Sequence, residues 1–369
     1  MDMIPLFSSS LANAGFDFTT PISRVLDRSW FVLGEEVKGF ENEFAQYCGV
    51  DHCVGLANGS DALELALRAL GIKAGDTVAT VANAGFYSSF AIHAVGATPL
   101  YVDVDPQTLT LSPASLAHAM AQTPSAVIVT HLYGQLADMD SILEVANAHG
   151  VPVIEDCAQS HGARRQGKVA GSWGVMGCFS FYPTKNLGAL GDGGAVVSND
   201  AQLAERVRQL RQYGWSKKYH VTLQGGRNSR LDELQAAVLR IKLPQLDHCN
   251  AQRRAIATRY NQAFSGLPVK LPASLGDDYV AHLYVMRTID RKEFSAYLSE
   301  AGVGNDVHYP VPDYQQPVYN GNAGLHLPVT DEACRTAISL PCFPGMTSAQ
   351  VDEVIAAVQG FFANGASSC

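Results

Sequence analysis

The chain has 369 residues, more than one ordinary domain core organises, so a large body with a smaller attached one is expected. Hydrophobic residues make up 47% and charged residues 17%, and the formal net charge of −9 comes without any basic stripe, which argues against a nucleic-acid partner. The start, MDMIPLFSSS, lacks the basic region and apolar core of a secretory signal, and no apolar run reaches the roughly 18 residues a membrane helix needs, so a cytoplasmic protein with no membrane partner is expected.

From about residue 50 to 200, β-rich runs alternate with helix-like segments. The strand candidates are CVGLA (53–57), TVATV (77–81), LYVDV (100–104), AVIVTH (126–131), VPVIED (151–156), CFSFY (178–182) and GAVVS (194–198). Several are continuously apolar, as in a sheet with helices on both faces. Helices fit between them at Ser60–Leu70, Tyr87–Val95, Pro113–Gln122 and Ser141–Ala148. In the first of these, Glu64 and Arg68 share a face, Ala and Leu fill most of the rest, and Gly71 supplies a left-handed stop. The alternation predicts a doubly wound α/β domain over residues 1–240, including an N-terminal arm.

Beyond Asn228 the pattern changes. LDELQAAVLRIKLPQL reads as a helix interrupted near Pro244, followed by the helix AQRRAIATRYNQAFSGL, the strand AHLYVMRTI, the helix RKEFSAYLSEAG and a helical tail, SAQVDEVIAAVQGFFANG. Residues 241–369 are therefore expected to form a smaller α+β domain. The eight cysteines are scattered singly, with no CxxC pair and no metal-ligand spacing to histidine, so reduced thiols and no metal are expected.

Ligands in open α/β sheets bind beyond the carboxyl ends of the strands, and three polar groups fall at such ends. Gly59-Ser60-Asp61 opens the first helix, Asp156 and Gln159 close VPVIED, and Lys185 follows CFSFY across Pro183-Thr184. Each has an ordinary explanation: Ser60 or Asp61 as a helix cap, Asp156 in a structural ion pair, Lys185 on the surface. Together they match the needs of pyridoxal 5'-phosphate. Its aldehyde requires a lysine amine that can lose its proton, its ring nitrogen a carboxylate, and its phosphate an anion cup such as a helix N-terminus.

The stretches EDCAQSHGA (155–163) and SFYPTKNLGALGDGG (180–194) resemble the sugar aminotransferases of the DegT/DnrJ/EryC1/StrS family, which are fold-type-I pyridoxal-phosphate enzymes. NGSDALELALRALG, VDVDPQTLTL, VTHLYGQLADMD, GGRNSRLDELQAAVL and VHYPVP follow in the family's order. The resemblance implies that Lys185 binds the cofactor and moves the proton, Asp156 pairs with the ring nitrogen, and Gln159 bonds the ring's 3-hydroxyl oxygen. It also implies that Ser60, Asp61 and Ser180 hold the phosphate and Phe86 stacks on the ring. The same resemblance implies that Asn228 reaches the phosphate of a neighbouring subunit, so a homodimer is expected as the active unit. The ordinary alternatives are a core aromatic for Phe86, a strand-facing residue for Ser180 and a turn residue for Asn228.

Family members act on nucleotide-linked keto sugars with an amino acid donor, usually glutamate. The histidine in AQSHGA, Gly214-Trp215 with Lys217-Lys218-Tyr219, and HYPVP look like the subgroup that aminates C-3 of a dTDP-linked 3-keto-6-deoxyhexose. On that resemblance His161, Tyr219, His308 and Tyr309 contact the sugar, with His161 beside the hexose, although a structural histidine fits its residue type equally well. Tyr314 stands where a histidine is frequent. The competing expectations are C-4 amination of a UDP- or dTDP-linked 4-keto sugar, a dehydratase (in which histidine usually replaces the lysine), and a cofactor-binding regulator without chemistry.

Overall fold

The computed structural model describes residues 3–319 and 324–365. Seven strands form the central sheet: β1 (His52–Leu56), β2 (Thr77–Thr80), β3 (Thr98–Tyr101), β4 (Ala126–Thr130), β5 (Val153–Asp156), β6 (Met176–Ser180) and β7 (Gly194–Ser198). Their spatial order is β1-β7-β6-β5-β4-β2-β3. β7 is antiparallel to both its neighbours, and the other pairs are parallel. The strands β1, β4, β5 and β6 therefore all deliver their carboxyl ends to one edge. The last residues of β4, β5 and β6 are Thr130, Asp156 and Ser180.

Alternation along the strands builds a core on each face of the sheet. Phe179 and Phe181 pack with Phe40, Phe44 and Leu239 on one side, while Cys178 and Val196 pack with Leu63 and Leu67 on the other. The helix Gly59–Ala69 is buried along most of its length and is followed by Gly71 at φ +85°. Its interior charges are paired: Glu64 is 2% exposed and held by Arg68 at 2.7 Å and Arg227 at 2.8 Å. A third cluster, with Tyr260, Phe264, Tyr284, Phe294 and Val354, lies around the antiparallel pair β8 (Tyr284–Arg287) and β9 (Ala337–Leu340). Ile4 joins it from the N-terminal arm, bridging to Val303.

Some boundaries differ from the sequence reading for local reasons. The strand expected at 100–104 ends at Tyr101, because the Asp103 carboxylate accepts from the amide of Thr330 at 2.9 Å and so caps the helix Pro328–Thr336. The strand expected at 178–182 is Met176–Ser180; beyond it, Tyr182 is exposed. Pro244 sits in a 3-10 turn, Leu243–Gln245, between the helices Glu233–Lys242 and Leu246–Phe264. The first 50 residues supply helices outside the expected set, of which the two longest are Thr19–Arg28 and Glu35–Cys48. The second is capped from across the chain, the Glu233 carboxylate accepting from the amides of Gly34 and Val37 at 2.8 Å and Glu36 at 2.9 Å.

Candidate active site

The sheet edge that carries Thr130, Asp156 and Ser180 opens on a cavity of about 920 Å³. The helix Gly59–Ala69 points its N-terminus into this cavity. Its cap is Asn58, whose side chain accepts from the Asp61 amide at 2.8 Å, so the capping role weighed for Ser60 and Asp61 falls to the preceding asparagine. The amides of Gly59 and Ser60 belong to the first turn, which has no intrahelical acceptors. Gly59 is required here: a Cβ would lie 2.6 Å from Ser180 Cβ, so only glycine lets the helix approach the end of β6. Ser60, Asp61 and Ser180 all line the cavity.

Asp156 is buried at the floor. Its oxygens accept from the Ala158 amide at 3.1 Å and the Thr130 hydroxyl at 3.3 Å. Burial raises its proton affinity above the usual carboxylate range, and those bonds and the Lys185 charge pull it back. Lys185 lies in the loop after β6, with part of its side chain open to the cavity and its amine enclosed; that enclosure lowers its pKa from 10.5 to about 8, against the pull of Asp156. Gln159 is oriented by the backbone, its Oε1 accepting from the Tyr133 amide at 2.6 Å, which leaves Nε2 to donate to the Tyr309 hydroxyl at 3.2 Å. Phe86, His308 and Tyr309 complete the expected set that lines the cavity.

Three expected residues do not line it. His161 is fully buried between Phe179 and Phe181, so the expected position beside a hexose is corrected to one inside the core. Neither ring nitrogen completes a hydrogen bond of normal geometry, although the Ser180 backbone approaches, and burial lowers its pKa to about 3. Tyr219 sits in the ribbon Trp215–Lys217/His220–Val221, 77% exposed, with its ring against Trp215, and does not reach this chain's cavity. Asn228 is exposed outside the cavity, bridged to Gln212. Tyr314, the local departure in sequence, turns inward onto Tyr101, and its hydroxyl bonds Asp331.

The cavity also contains groups that the sequence reading passed over: Phe7, Thr130, Tyr182 and His282. Asn186 Nδ2 donates to the Val280 carbonyl at 3.0 Å, so its Oδ1, 3.0 Å from His282 Nδ1, must be the acceptor there. Burial keeps His282 neutral, well below the ordinary histidine range, with its proton on Nδ1. Its only sequence signal is a polar residue opening an apolar strand. Among the described residues one trio of metal-type donors comes together, His131, Glu155 and Cys157. Glu155 is already used, accepting from the amides of Gly171, Trp173 and Gly174 at 2.7–2.8 Å and facing His131 Nε2 at 2.9 Å. Among the described residues, no helix is long and apolar enough to cross a membrane.

These features fit pyridoxal phosphate on structural grounds. An enclosed amine with a lowered pKa, a buried carboxylate that lacks a full counter-charge, and a helix N-terminus meet in one cavity. Comparisons with known proteins agree. Residues 15–359 match the DegT/DnrJ/EryC1/StrS aminotransferase family. A dTDP-3-amino-3,4,6-trideoxy-alpha-D-glucose transaminase of Streptomyces venezuelae is 46% identical, covering 92% of this chain and 90% of that protein. A dTDP-3-amino-3,6-dideoxy-alpha-D-galactopyranose transaminase of Aneurinibacillus thermoaerophilus is 43% identical over 97% of this chain and 99% of its own. The crystal structure of S. venezuelae DesV in complex with a ketimine intermediate superposes with a TM-score of 0.94 at 44% identity, covering 98% of this chain and 99% of that one. The seven-stranded, mostly parallel sheet, the site at its carboxyl edge and these matches together place the chain in the DegT/DnrJ/EryC1/StrS family, as a fold-type-I aminotransferase.

Proposed function

We propose that the chain passes an amino group from glutamate to C-3 of a dTDP-linked 3-keto-6-deoxyhexose, using pyridoxal phosphate bound through Lys185, in a homodimer whose subunits share their sites. The observation that carries the reading is the meeting of Lys185, Asp156 and the Gly59–Ser60 helix end in one cavity. The sugar and the ring position are supported by the two 3-amino-sugar transaminases at 46% and 43% identity.

Bound pyridoxal phosphate supplies an electron sink that allows a proton to leave the carbon bearing the amine. The chain's residues do the rest. Lys185, its pKa lowered to about 8, is neutral near neutral pH far more often than an ordinary lysine and takes and returns that proton at Nζ. Asp156 accepts from the ring nitrogen's N–H and keeps it charged. Gln159 offers Nε2 to the ring oxygen, an orientation imposed by the Tyr133 amide. Ser60, Ser180 and the free first-turn amides hold the phosphate. The Asp61 amide is already given to Asn58, so Asp61 contributes at the edge of the phosphate site. Phe86 covers the ring, and His308 and Tyr309 face the sugar.

Asn228 and Tyr219 are exposed and outside this chain's cavity, which suits residues that serve a partner's site. The cavity mouth is rimmed by half-exposed Tyr87, Phe90 and Tyr182, an apolar surface of the kind that covers itself against a second subunit or a ligand. Borohydride reduction of the yellow protein followed by peptide mapping tests the core of the proposal. The expected adduct is on Lys185, and an adduct on another lysine contradicts it.

A further inference from the structure

Asp313 is a buried carboxylate whose hydrogen-bonding partners include no cation. It is 1% exposed, and its oxygens meet the Phe86 amide at 3.0 Å and the Ser89 hydroxyl at 2.6 Å. Taking a carboxylate out of water with so few partners is costly, and burial raises its pKa to about 7. What it grips is the backbone of the residue proposed to cover the cofactor.

Phe86 is held in an unusual state. Its backbone is left-handed, at φ 73° and ψ −1°, a conformation uncommon for a bulky residue and maintained only when the surroundings impose it. It immediately precedes the helix Tyr87–Ala94, yet its own side chain makes no capping bond. The Asp313 carboxylate is the acceptor that its amide finds. Asp313 is anchored in turn, its own amide donating to the Ala82 carbonyl at 2.8 Å. The Ser89 hydroxyl continues the network to the Tyr101 hydroxyl at 3.0 Å, and Tyr101 reaches the Tyr319 hydroxyl at 3.0 Å. The Tyr319 ring lies 5.7 Å from the Phe86 ring. Earlier in the same segment, the Tyr309 ring packs onto Gly85, where a Cβ would come within 2.8 Å of it. The segment 308–319 thus fixes the Gly85-Phe86 turn from several sides.

We infer that Asp313 is a positioning residue that sets Phe86 against the cofactor ring, so that the segment carrying His308 and Tyr309 also governs how firmly the cofactor is held. This rests on the proposed pyridoxal-phosphate site. The role is carried by a carboxylate adjoining Tyr314, within the loop that departs from the family pattern.

The test is a double-mutant cycle read on cofactor binding. Pyridoxal phosphate is titrated into the full-length protein stripped of cofactor, and the circular dichroism of the bound cofactor is recorded. Asp313→Ala is expected to weaken binding about tenfold, the scale of one lost buried hydrogen bond, and to diminish the induced dichroism. Asp313→Asn keeps an acceptor for the Phe86 amide and is expected to recover most of both. In a Phe86→Ala background, Asp313→Ala is expected to cost nothing further. If Asp313→Ala does not fold, Asp313→Leu fills the buried volume without accepting and takes its place. Wild-type affinity in Asp313→Ala, or fully additive losses in the double variant, overturns the positioning role. A wild-type protein that binds no cofactor at Lys185 overturns the site proposal itself, and the positioning role with it.

Discussion

The Thr130 hydroxyl donates to the Asp156 carboxylate at 3.3 Å, tying together the ends of two adjacent parallel strands at the cavity floor. One Asp156 oxygen is thus steadied from β4 and the other from the Ala158 amide, so the carboxylate is aimed before any ligand arrives. Asp156→Asn keeps the shape and removes the charge. Such a variant is expected to fold and retain some cofactor while losing about a hundredfold to a thousandfold in turnover, the usual scale for a catalytic electrostatic group. Near-wild-type kcat in a well-folded Asp156→Asn protein contradicts the role.

Lys185 sets a pH dependence whose sign follows from its environment. Burial lowers its pKa from 10.5 to about 8, so the folded chain favours the neutral amine. That contribution to the stability of the cofactor-free protein is fully present above the ordinary lysine value and is lost as pH falls through about 8. Covalent capture of pyridoxal phosphate by the stripped protein is accordingly expected to accelerate as pH rises toward about 8 and to level off above it. Stopped-flow absorbance between pH 6 and 10 reads this directly, and a flat profile contradicts the lowered pKa.

His161 lies in the core with neither nitrogen well bonded. Replacing such a group with an apolar side chain of similar size is often neutral or stabilising. His161→Leu is therefore expected to leave KM for the sugar within about twofold of wild type and to hold or raise Tm. A large rise in KM at unchanged Tm restores the sugar contact that its motif suggested.

Asn228 offers a test of assembly. Lys185→Ala and Asn228→Ala subunits, each weak alone, are expected to regain activity on mixing if Asn228 serves a partner's site, because each mixed dimer then holds one intact site. Failure to complement, with subunit exchange demonstrated, places the function of Asn228 within its own chain.

The readable parts of the site were those set by strand ends. Asp156 ends an apolar run, Ser60 and Asp61 follow another, and Lys185 follows a third closely, so the rule that ligands bind beyond the carboxyl edge gathers them, whereas Ser180 enters only through the family resemblance. The residues that escaped depend on long-range packing. His161 belongs to the same motif as Asp156 and Gln159, but nothing local shows that its ring lies between Phe179 and Phe181. Asp313 and His282 are partnered by Phe86 and Asn186, 227 and 96 residues away, and no periodicity links such positions. The cap of the helix Glu35–Cys48, Glu233, lies 196 residues beyond the Val37 amide it accepts from, so no local cap marks where that helix starts. The strand lies at Thr98–Tyr101, a few residues before the expected 100–104, because Asp103 turns away to serve the helix Pro328–Thr336.

The central claim is the transfer of nitrogen to C-3. Incubating the cofactor-loaded protein with 15N-labelled glutamate and a dTDP-linked 3-keto-6-deoxyhexose, then locating the label by NMR, tests it most directly. A reacting carbon displaced by one ring position sits more than an ångström out of line, a misplacement that can cost about a hundredfold, so the regiochemistry is expected to be sharp. Label is expected on C-3 of the sugar, with 4-keto analogues turning over poorly. Label on C-4 with a 4-keto sugar, and none with the 3-keto sugar, would contradict it.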